Sequence, residues 1–284
     1  MLKNYIKYAF RYLVKNKVFS IINIAGLTVG LASFLLIINF VQYELSYDQY
    51  IEDIDDVYRV NLVRNGTGAK AAAISPPMGL AMVEEFAEVS SAVRFRHAND
   101  VLVRIDDEEF YESSIFYVDS TFLEVFTFPL LKGDRESALK EKNAVVITEA
   151  LAKKYFADSD PLGQVIQIDD QLSLKVTGVI GESETPSHFE FEMLISFQTF
   201  EVPYGYPVTL ESWGWTSFPT YLKLHEGANP ESVNARFHEF IKTYMSESAA
   251  EAISLELQPV SKIHLYSKDI AERDGIPAKG DIKY

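Results

Sequence analysis

The chain has 284 residues, a formal charge of −15 at pH 7 and no cysteine. Such an acidic chain is poorly suited to bind nucleic acid, because phosphate backbones are held by Lys and Arg. Without cysteine it forms no disulfide and offers no thiolate to a metal. With 48% hydrophobic residues it can still bury a sizeable core.

Residues 1–17 predict a basic amphipathic helix. Its basic face carries Lys3, Lys7, Arg11 and Lys15, and the other side carries aliphatic and aromatic residues. Helices of this type lie in the membrane interface. We therefore expect a cytoplasmic elbow helix over 1–17. The alternative is a simple positive flank of the segment that follows.

Residues 18–43 form an apolar run of 26 residues without a charged side chain. At about 1.5 Å per residue the run measures roughly 39 Å as a helix, enough to cross a hydrocarbon core of about 30 Å. A cleaved signal peptide has a shorter apolar core that ends at small residues. A buried helix of a soluble protein would rarely lack charges over this length. The run therefore predicts a retained transmembrane helix.

The flanks of this run predict its orientation. Five Lys and Arg residues lie in 1–17, which leaves a formal charge of −20 for the remainder. Lys and Arg stay on the cytoplasmic side. We expect the N-terminus inside and residues 44–284 outside, with no affinity of this acidic part for anionic lipid surfaces.

Small residues inside the run predict helix packing. Gly26 and Gly30 are four residues apart, a spacing that lets another helix approach closely. Asn23 and Asn39 are polar and favour a partner or an interface over lipid. We predict that this helix packs against others through Gly26 and Gly30.

The outer part predicts an α+β fold with two lobes. Two β-α-β units can be read, and together they predict one α/β sandwich: 57–64, 75–86 and 91–97, then 219–224, 229–245 and 253–260. The strand-rich segment 98–216 lies between them and predicts an inserted second lobe. Within it we expect one strand over 109–118 and tight hairpins at 105–110 and 169–171.

Motifs for metal or catalytic chemistry are incomplete. The stretch "HEFIK" at His238 lacks the second histidine of a zinc motif, because Lys242 occupies that position. The stretch "DSDPLG" departs from a calcium loop at its fifth and twelfth positions, and a chain turn explains it. We expect no cofactor. Trp213 and Trp215 predict either an aromatic ligand platform or packing in the core or between the lobes.

Several stretches resemble one family of membrane proteins. The opening "LKNYIKYAFRYLVKNKVFSIINIAGLTVGLASFLLI" and the later "NAVVITEALAKKYFADSDPLGQVIQI", "SHFEFEMLISF" and "VSKIHLYSKD" are similar to ABC-transporter permeases of the MacB/FtsX/LolCE type. The resemblance covers nearly the whole chain in order. It implies a MacB-like periplasmic core domain over 44–284, with a porter-like lobe (about 50–97 and 217–265) and an inserted lobe (about 98–216).

The resemblance also implies a function. Such permeases sit in the bacterial inner membrane, pair with a second copy or paralogue, and depend on a separate cytoplasmic ATPase subunit. Some work with other envelope proteins. The family continues with three more transmembrane helices, so we expect this chain to be the N-terminal part of a permease without enzymatic activity of its own. The alternatives are a single-pass anchored binding or sensor module and, third, an anchored hydrolase.

Overall fold

The computed structural model describes residues 2–98, 100–105, 108–169, 171–201 and 209–272, without the side chains of residues 2 and 3. The chain forms two compact units, Met1–Ser46 and Tyr47–Tyr284. The described part of the first unit is helical, and every described strand belongs to the second.

The first unit consists of helices α1 (Leu2–Lys15) and α2 (Lys17–Leu45). They are separated at Asn16, whose backbone torsions of φ −110° and ψ 55° are not helical. The Asn16 amide donates to the Tyr12 carbonyl at 3.3 Å, and the Ser20 hydroxyl donates to the Leu13 carbonyl at 3.0 Å. The Tyr12 carbonyl also accepts the Asn16 backbone N–H at 3.1 Å, so side-chain hydrogen bonds add to the backbone contacts at the junction of the two helices.

Helix α2 has the length and composition of a membrane span. It has 29 residues and a mean hydropathy of 2.4 in its most apolar window, and among the described residues it is the one helix that meets both requirements. At about 1.5 Å per residue it extends roughly 44 Å. Apolar side chains are exposed all around it, as expected of a helix surrounded by lipid.

The porter-like lobe is built on a four-stranded antiparallel sheet of β1 (Val57–Arg64), β3 (Val89–His97), β12 (Thr220–Leu224) and β13 (Ile253–Pro259). The order is β13-β1-β12-β3, so β1 and β3 run the same way with β12 between them. Short strands β2 (Lys70–Ala71) and β14 (Ile270–Ala271) extend the sheet beside β1. The connections are helical: α3 (Pro76–Glu85), and then α6 (Pro230–Asn234), α7 (Phe237–Tyr244) and α8 (Glu247–Ala252). Both predicted β-α-β units are confirmed.

The inserted lobe contributes the elements between β3 and β12: β4 (Val101–Ile105), β5 (Glu108–Glu112), β6 (Ile115–Val118), α4 (Phe122–Val125), β7 (Leu130–Gly133), β8 (Ala144–Thr148), α5 (Glu149–Phe156), β9 (Val165–Ile168), β10 (Leu172–Ile180) and β11 (Met193–Ser196). The strand order is β6-β11-β8-β10-β9-β4-β5, with β7 on β10. The pairs β6–β11 and β8–β10 are parallel.

The two lobes share strand β3. Residues 89–94 of β3 pair with β12, whereas Phe95–His97 pair with Phe116–Val118 of β6. The hydrogen-bonded strand order is therefore continuous from one lobe to the other. This agrees with the predicted two-lobed α+β fold, and the residue numbers given above for the lobe boundaries stay predictions.

Two predicted elements are wrong in detail. The helix expected over 229–245 is interrupted near Arg236, where the backbone N–H bonds to the Val233 carbonyl three residues back at 3.0 Å. A tighter turn keeps the same apolar spacing, so periodicity could not reveal the break. The strand expected over 109–118 is two strands, β5 and β6, separated at residues 113–114. Both predicted hairpins are confirmed by the β4–β5 and β9–β10 pairings.

The second unit ends, within the described residues, in a short helix α9 (Ile263–Tyr266) followed by β14. Strand β1 is buried on both faces. Helices α3 and α7 cover one face, and residues 258–272 cover the other. Tyr58, Val60 and Leu62 contribute to an apolar core that also contains residues of α3 and α7. Arg59 and Asn61 point to the opposite face, where residues 258–272 supply polar partners.

Candidate functional site

Arg59 is a fully buried cation in the middle of β1. Its Nη1 donates to both carboxylate oxygens of Glu272, at 2.9 and 2.8 Å, and its Nη2 donates to Gln258 Oε1 at 2.8 Å and Ser267 Oγ at 3.2 Å. Burying an unpaired charge is costly, so this bidentate pair is what permits Arg59 to occupy the sheet. Asn61 donates to the same Gln258 oxygen at 3.0 Å.

Asp48 is a buried carboxylate three residues after the end of α2. Its backbone is left-handed, with φ 62°, and its N–H donates to the Pro186 carbonyl at 2.8 Å. Its Oδ1 accepts from the His188 backbone N–H at 2.9 Å and lies 2.7 Å from His188 Nδ1. Both side chains are almost completely excluded from solvent. The chain after α2 is thus fixed to the loop between β10 and β11 of the inserted lobe.

Tyr221 joins these two clusters. Its hydroxyl lies 3.0 Å from His188 Nε2, and its Cα is the register partner of Arg59 across the β1–β12 pair. Burial raises the pKa of Tyr221, and the charge of Arg59 acts against that rise. The hydroxyl therefore stays protonated and can donate a hydrogen bond at any physiological pH.

We call the group of Asp48, His188, Tyr221, Arg59 and Glu272 the buried relay. It connects the first residues after α2 with the inserted lobe, the central sheet and Glu272, the last described residue. The side chains are almost completely excluded from solvent, so a substrate cannot reach them in this structure. A set of buried, mutually dependent polar contacts instead fixes one geometry, because each partner becomes costly once another is removed.

Further contacts hold the same segment. The Tyr47 ring stacks on His264, with centroids 3.4 Å apart and planes 6° from parallel. The Tyr50 hydroxyl lies 3.0 Å from Ser187 Oγ, and the Glu52 N–H donates to Thr127 Oγ1 at 2.8 Å. Burial, followed by the charge of Asp48, raises the pKa of Tyr50 well above its ordinary value. Residues 47–52 are therefore bound to parts of the chain inside and after the inserted lobe.

The site residues predicted from sequence lie in the first unit. Gly26 and Gly30 are on α2, and a Cβ at either position would meet no atom within 4 Å. The side chains of Lys7, Arg11 and Lys15 are exposed on α1. The side chain of Lys3 lies outside the described residues. Helix packing at the glycines and a role for the basic face stay predictions.

The residues of the incomplete metal motifs form ion pairs, and the two tryptophans pack against other aromatic rings. Lys242 of "HEFIK" pairs with Glu247 at 2.7 Å, and Asp160 of "DSDPLG" pairs with Lys132 at 2.8 Å. Among the described residues, no group of three or more His, Asp or Glu side chains could hold a metal ion. Trp213 stacks on Tyr244 in the porter-like lobe, whereas Trp215 packs against Phe218 in a separate cluster. The two tryptophans therefore do not form a single platform.

The relay residues were not predicted from sequence. An arginine within the apolar strand "VYRVNL" was the available signal, since charged residues are seldom fully buried unless paired. Its partner Glu272 lies 213 residues away, and Tyr221 and His188 occur in stretches of aromatic residues that predict only a core. The spacing of residues within a single helix or strand could not have shown that these four side chains meet.

The fold defines the class of protein: an apolar N-terminal helix followed by a two-lobed α+β domain. A family model described as "MacB-like periplasmic core domain" matches residues 20–240. The chain therefore belongs to this family, the periplasmic domains of ABC-type permeases. Comparison with curated proteins gives no match.

Solved structures support the same fold. A domain of a candidate permease protein from Porphyromonas gingivalis is 22% identical, with a TM-score of 0.62 over 74% of this chain and 92% of that domain. The periplasmic region of MacB from Actinobacillus actinomycetemcomitans is 12% identical, with a TM-score of 0.52 over 76% of this chain and 95% of that region. At these identities the similarity shows the fold alone.

Proposed function

We propose that the chain is the N-terminal part of the permease subunit of an ABC-type export or extraction system. In this role it couples ATP hydrolysis by a separate cytoplasmic subunit to movement of its periplasmic domain. The buried relay is the observation that carries the proposal. It fixes the residues after α2 to both lobes, and in the proposed mechanism these residues would pass a displacement of the helix on to the domain.

The predicted sites of the first unit take roles in the same mechanism. The basic face of Lys3, Lys7, Arg11 and Lys15 would lie at the inner leaflet of the inner membrane and contact the ATPase side. Gly26 and Gly30 would face a helix of a second permease copy or paralogue. The N-terminus would be inside, and the acidic domain would be in the periplasm, where it can meet other envelope proteins.

The relay can be tested by asking whether ATP moves the lobes. The chain has no cysteine, so Glu136→Cys and Glu239→Cys introduce unique spin-label sites in the inserted and porter-like lobes. The affinity-tagged protein is purified from its native membrane with bound partners and placed in lipid nanodiscs. Pulsed electron paramagnetic resonance spectroscopy then measures the distance between the two spin labels with and without ATP.

Asp48→Asn is the test variant, because it keeps the shape of the side chain and removes its charge. We expect the ATP-dependent distance change to be lost in Asp48→Asn and retained in Ile241→Val, a variant of the apolar core. A full ATP response in Asp48→Asn would remove the relay from the mechanism. Deleting residues 2–15 should also abolish the response while the domain stays folded, and an unchanged response there would contradict a role for the basic face.

The second candidate is a single-pass, membrane-anchored binding or sensor module of the periplasm. A cleft of about 730 Å³ where the chain passes between the lobes favours it. Purification without any ATPase subunit, together with no response of the label distance to ATP, would support this candidate and exclude the first.

A further inference from the structure

A cleft of about 730 Å³ lies where the chain passes between the lobes. Its walls come from residues 96–98, 100 and 101, where the chain leaves β3, and from Thr199–Glu201 and Trp215, where it returns toward β12. Residues 142–143 and the β9–β10 hairpin form the remaining wall. This volume is within the range of small-molecule sites, and none of the lining residues belongs to the buried relay.

Asn143 lines this cleft and has a buried side-chain acceptor without a donor in the described part of the chain. Its Oδ1 is buried and has no hydrogen-bond donor among the described residues. Its backbone is left-handed, with φ 64°, and its N–H donates to Thr199 Oγ1 at 2.7 Å. A buried acceptor without a donor costs free energy that a ligand N–H would recover.

Carboxylates without cationic partners lie in the same walls. Within the described ranges neither Asp100 nor Asp169 forms an ion pair, although Asp169 Oδ1 accepts from the Leu102 N–H at 2.9 Å. Asp169 is also left-handed, with φ 48°. Strained backbone of this kind is concentrated at binding sites, although Asn and Asp tolerate it better than other residues.

The cations of the cleft are already engaged. Lys142 pairs with Glu201 at 3.0 Å. The Arg96 guanidinium lies 5.7 Å from the Trp215 ring centroid, and its Nη1 donates to the Ser217 carbonyl at 3.3 Å. Burial, and then the charges of Asp169 and Glu201, raise the pKa of Tyr117, which indicates negative potential at its hydroxyl.

Aromatic rings complete the lining. Tyr117 and Phe200 meet edge to face with centroids 5.2 Å apart, and Phe200 lies 6.5 Å from Trp215. Ring faces attract cations and provide apolar contact area. A ligand that combines ring contacts with a charged donor would satisfy every group described here.

We propose that this cleft binds a small organic cation with a primary ammonium group beside an aromatic or apolar portion. The ammonium donates to Asp169 and, once the Asn143 side chain turns into the cleft, to Asn143 Oδ1. The apolar portion packs on Tyr117 and Phe200. The site lies at the crossing between the lobes, so its occupancy is placed to affect their relative position. This assignment is independent of coupling to an ATPase.

Trp215 provides a local reporter of binding. The chain has two tryptophans, so Trp213→Phe leaves Trp215 alone, and the phenyl ring preserves the packing on Tyr244. The full chain in detergent micelles is titrated with 2-phenylethylamine while Trp215 fluorescence is measured. The neutral isostere 2-phenylethanol and the anion phenylacetate are the chemical controls, and they also report partition into detergent.

We expect a saturable change with the amine and none with the two controls. Asp169→Asn keeps the size and backbone tolerance of the residue and should weaken amine binding about tenfold, since it removes a hydrogen bond to a charged group. Glu226→Gln makes the same change of charge on an exposed loop and should leave the affinity within about twofold. Asn143→Asp should tighten binding, which separates a site from damage to folding.

Three results would each overturn the assignment. One is the absence of a saturable signal with 2-phenylethylamine up to its solubility limit. Another is equal binding of 2-phenylethanol, which would show a merely apolar cleft. The third is equal weakening by Asp169→Asn and Glu226→Gln, which would show that the amine responds only to the overall negative charge of the domain.

Discussion

Strand β1 presents two buried faces of opposite character. Tyr58, Val60 and Leu62 pack into an apolar core with residues of α3 and α7. Arg59 and Asn61 on the other face lie in a polar network with Gln258, Ser267 and Glu272. Apolar packing stabilises without strict direction, whereas buried polar contacts require particular partners at particular distances. The first face holds the lobe together, and the second determines where the chain after α2 and the chain near Glu272 must lie.

The largest expected effect is on the polar face. Arg59→Met leaves Glu272 buried without its cation, so we expect the free energy of unfolding to fall by about 3–5 kcal/mol. Urea unfolding of the full chain in micelles, followed by circular dichroism, measures this loss.

The double variant Arg59→Met/Glu272→Met tests the cause. Because it removes both charges, we expect it to recover at least half of the stability that the single variant loses. If the double variant is no more stable than Arg59→Met, the loss reflects packing, and the contrast between the faces is weaker than described.

Removing one hydroxyl from each face gives a matched comparison. Tyr221→Phe deprives His188 Nε2 of its partner at 3.0 Å and should cost about 1–2 kcal/mol. Tyr58→Phe removes the same atom from the apolar face and should cost less than about 0.5 kcal/mol. Equal costs in urea unfolding would show that the two faces do not differ in this respect.

Alkaline pH should act on the polar face through Tyr221. Burial raises the pKa of this hydroxyl in the folded state, so its contribution to stability is complete below an unfolded pKa of about 10 and is lost as pH rises toward the folded value. Between these values the loss is about 1.4 kcal/mol per pH unit. Tyr221→Phe should lower the alkaline slope of stability by that amount, and an unchanged slope would assign the titration to other tyrosines.

The smallest expected effect on the ATP response comes from a change on the apolar face. Ile241 is fully buried in α7, and Ile241→Val removes one methylene at a cost of about 1 kcal/mol. We expect no change in the label distances described above, because the relay contacts stay intact. A loss of ATP response in this variant would mean that stability, and not the relay, controls the movement.

Much of the fold could be predicted because it is local. The alternation in "VYRVNLVR", the Asn229 cap followed by Pro230, and the run of 26 uncharged residues each depend on neighbours in sequence. The two β-α-β units and the strand-rich segment between them predicted the two-lobed arrangement, and the family resemblance implied the same arrangement. The short strand β7 and helix α8 were not predicted, since four to six residues carry too little periodicity to stand out.

The relay and the cleft could not be predicted, because each depends on distant parts of the chain. Tyr221 meets His188 across 33 residues, and Arg59 meets Glu272 across 213. Asn143 becomes notable only because the fold buries its Oδ1 without a donor. Composition correctly indicated a buried core, but it cannot say which polar side chains enter that core together.

The shared strand β3 has a consequence for elasticity. Since Phe95–His97 pair with β6 and the preceding residues pair with β12, the lobes cannot separate at a free hinge without breaking backbone hydrogen bonds. A relative movement of the lobes would instead twist the continuous sheet, and the sheet would relax when the force ends. The amide protons of these three residues should accordingly exchange with solvent among the slowest in the domain.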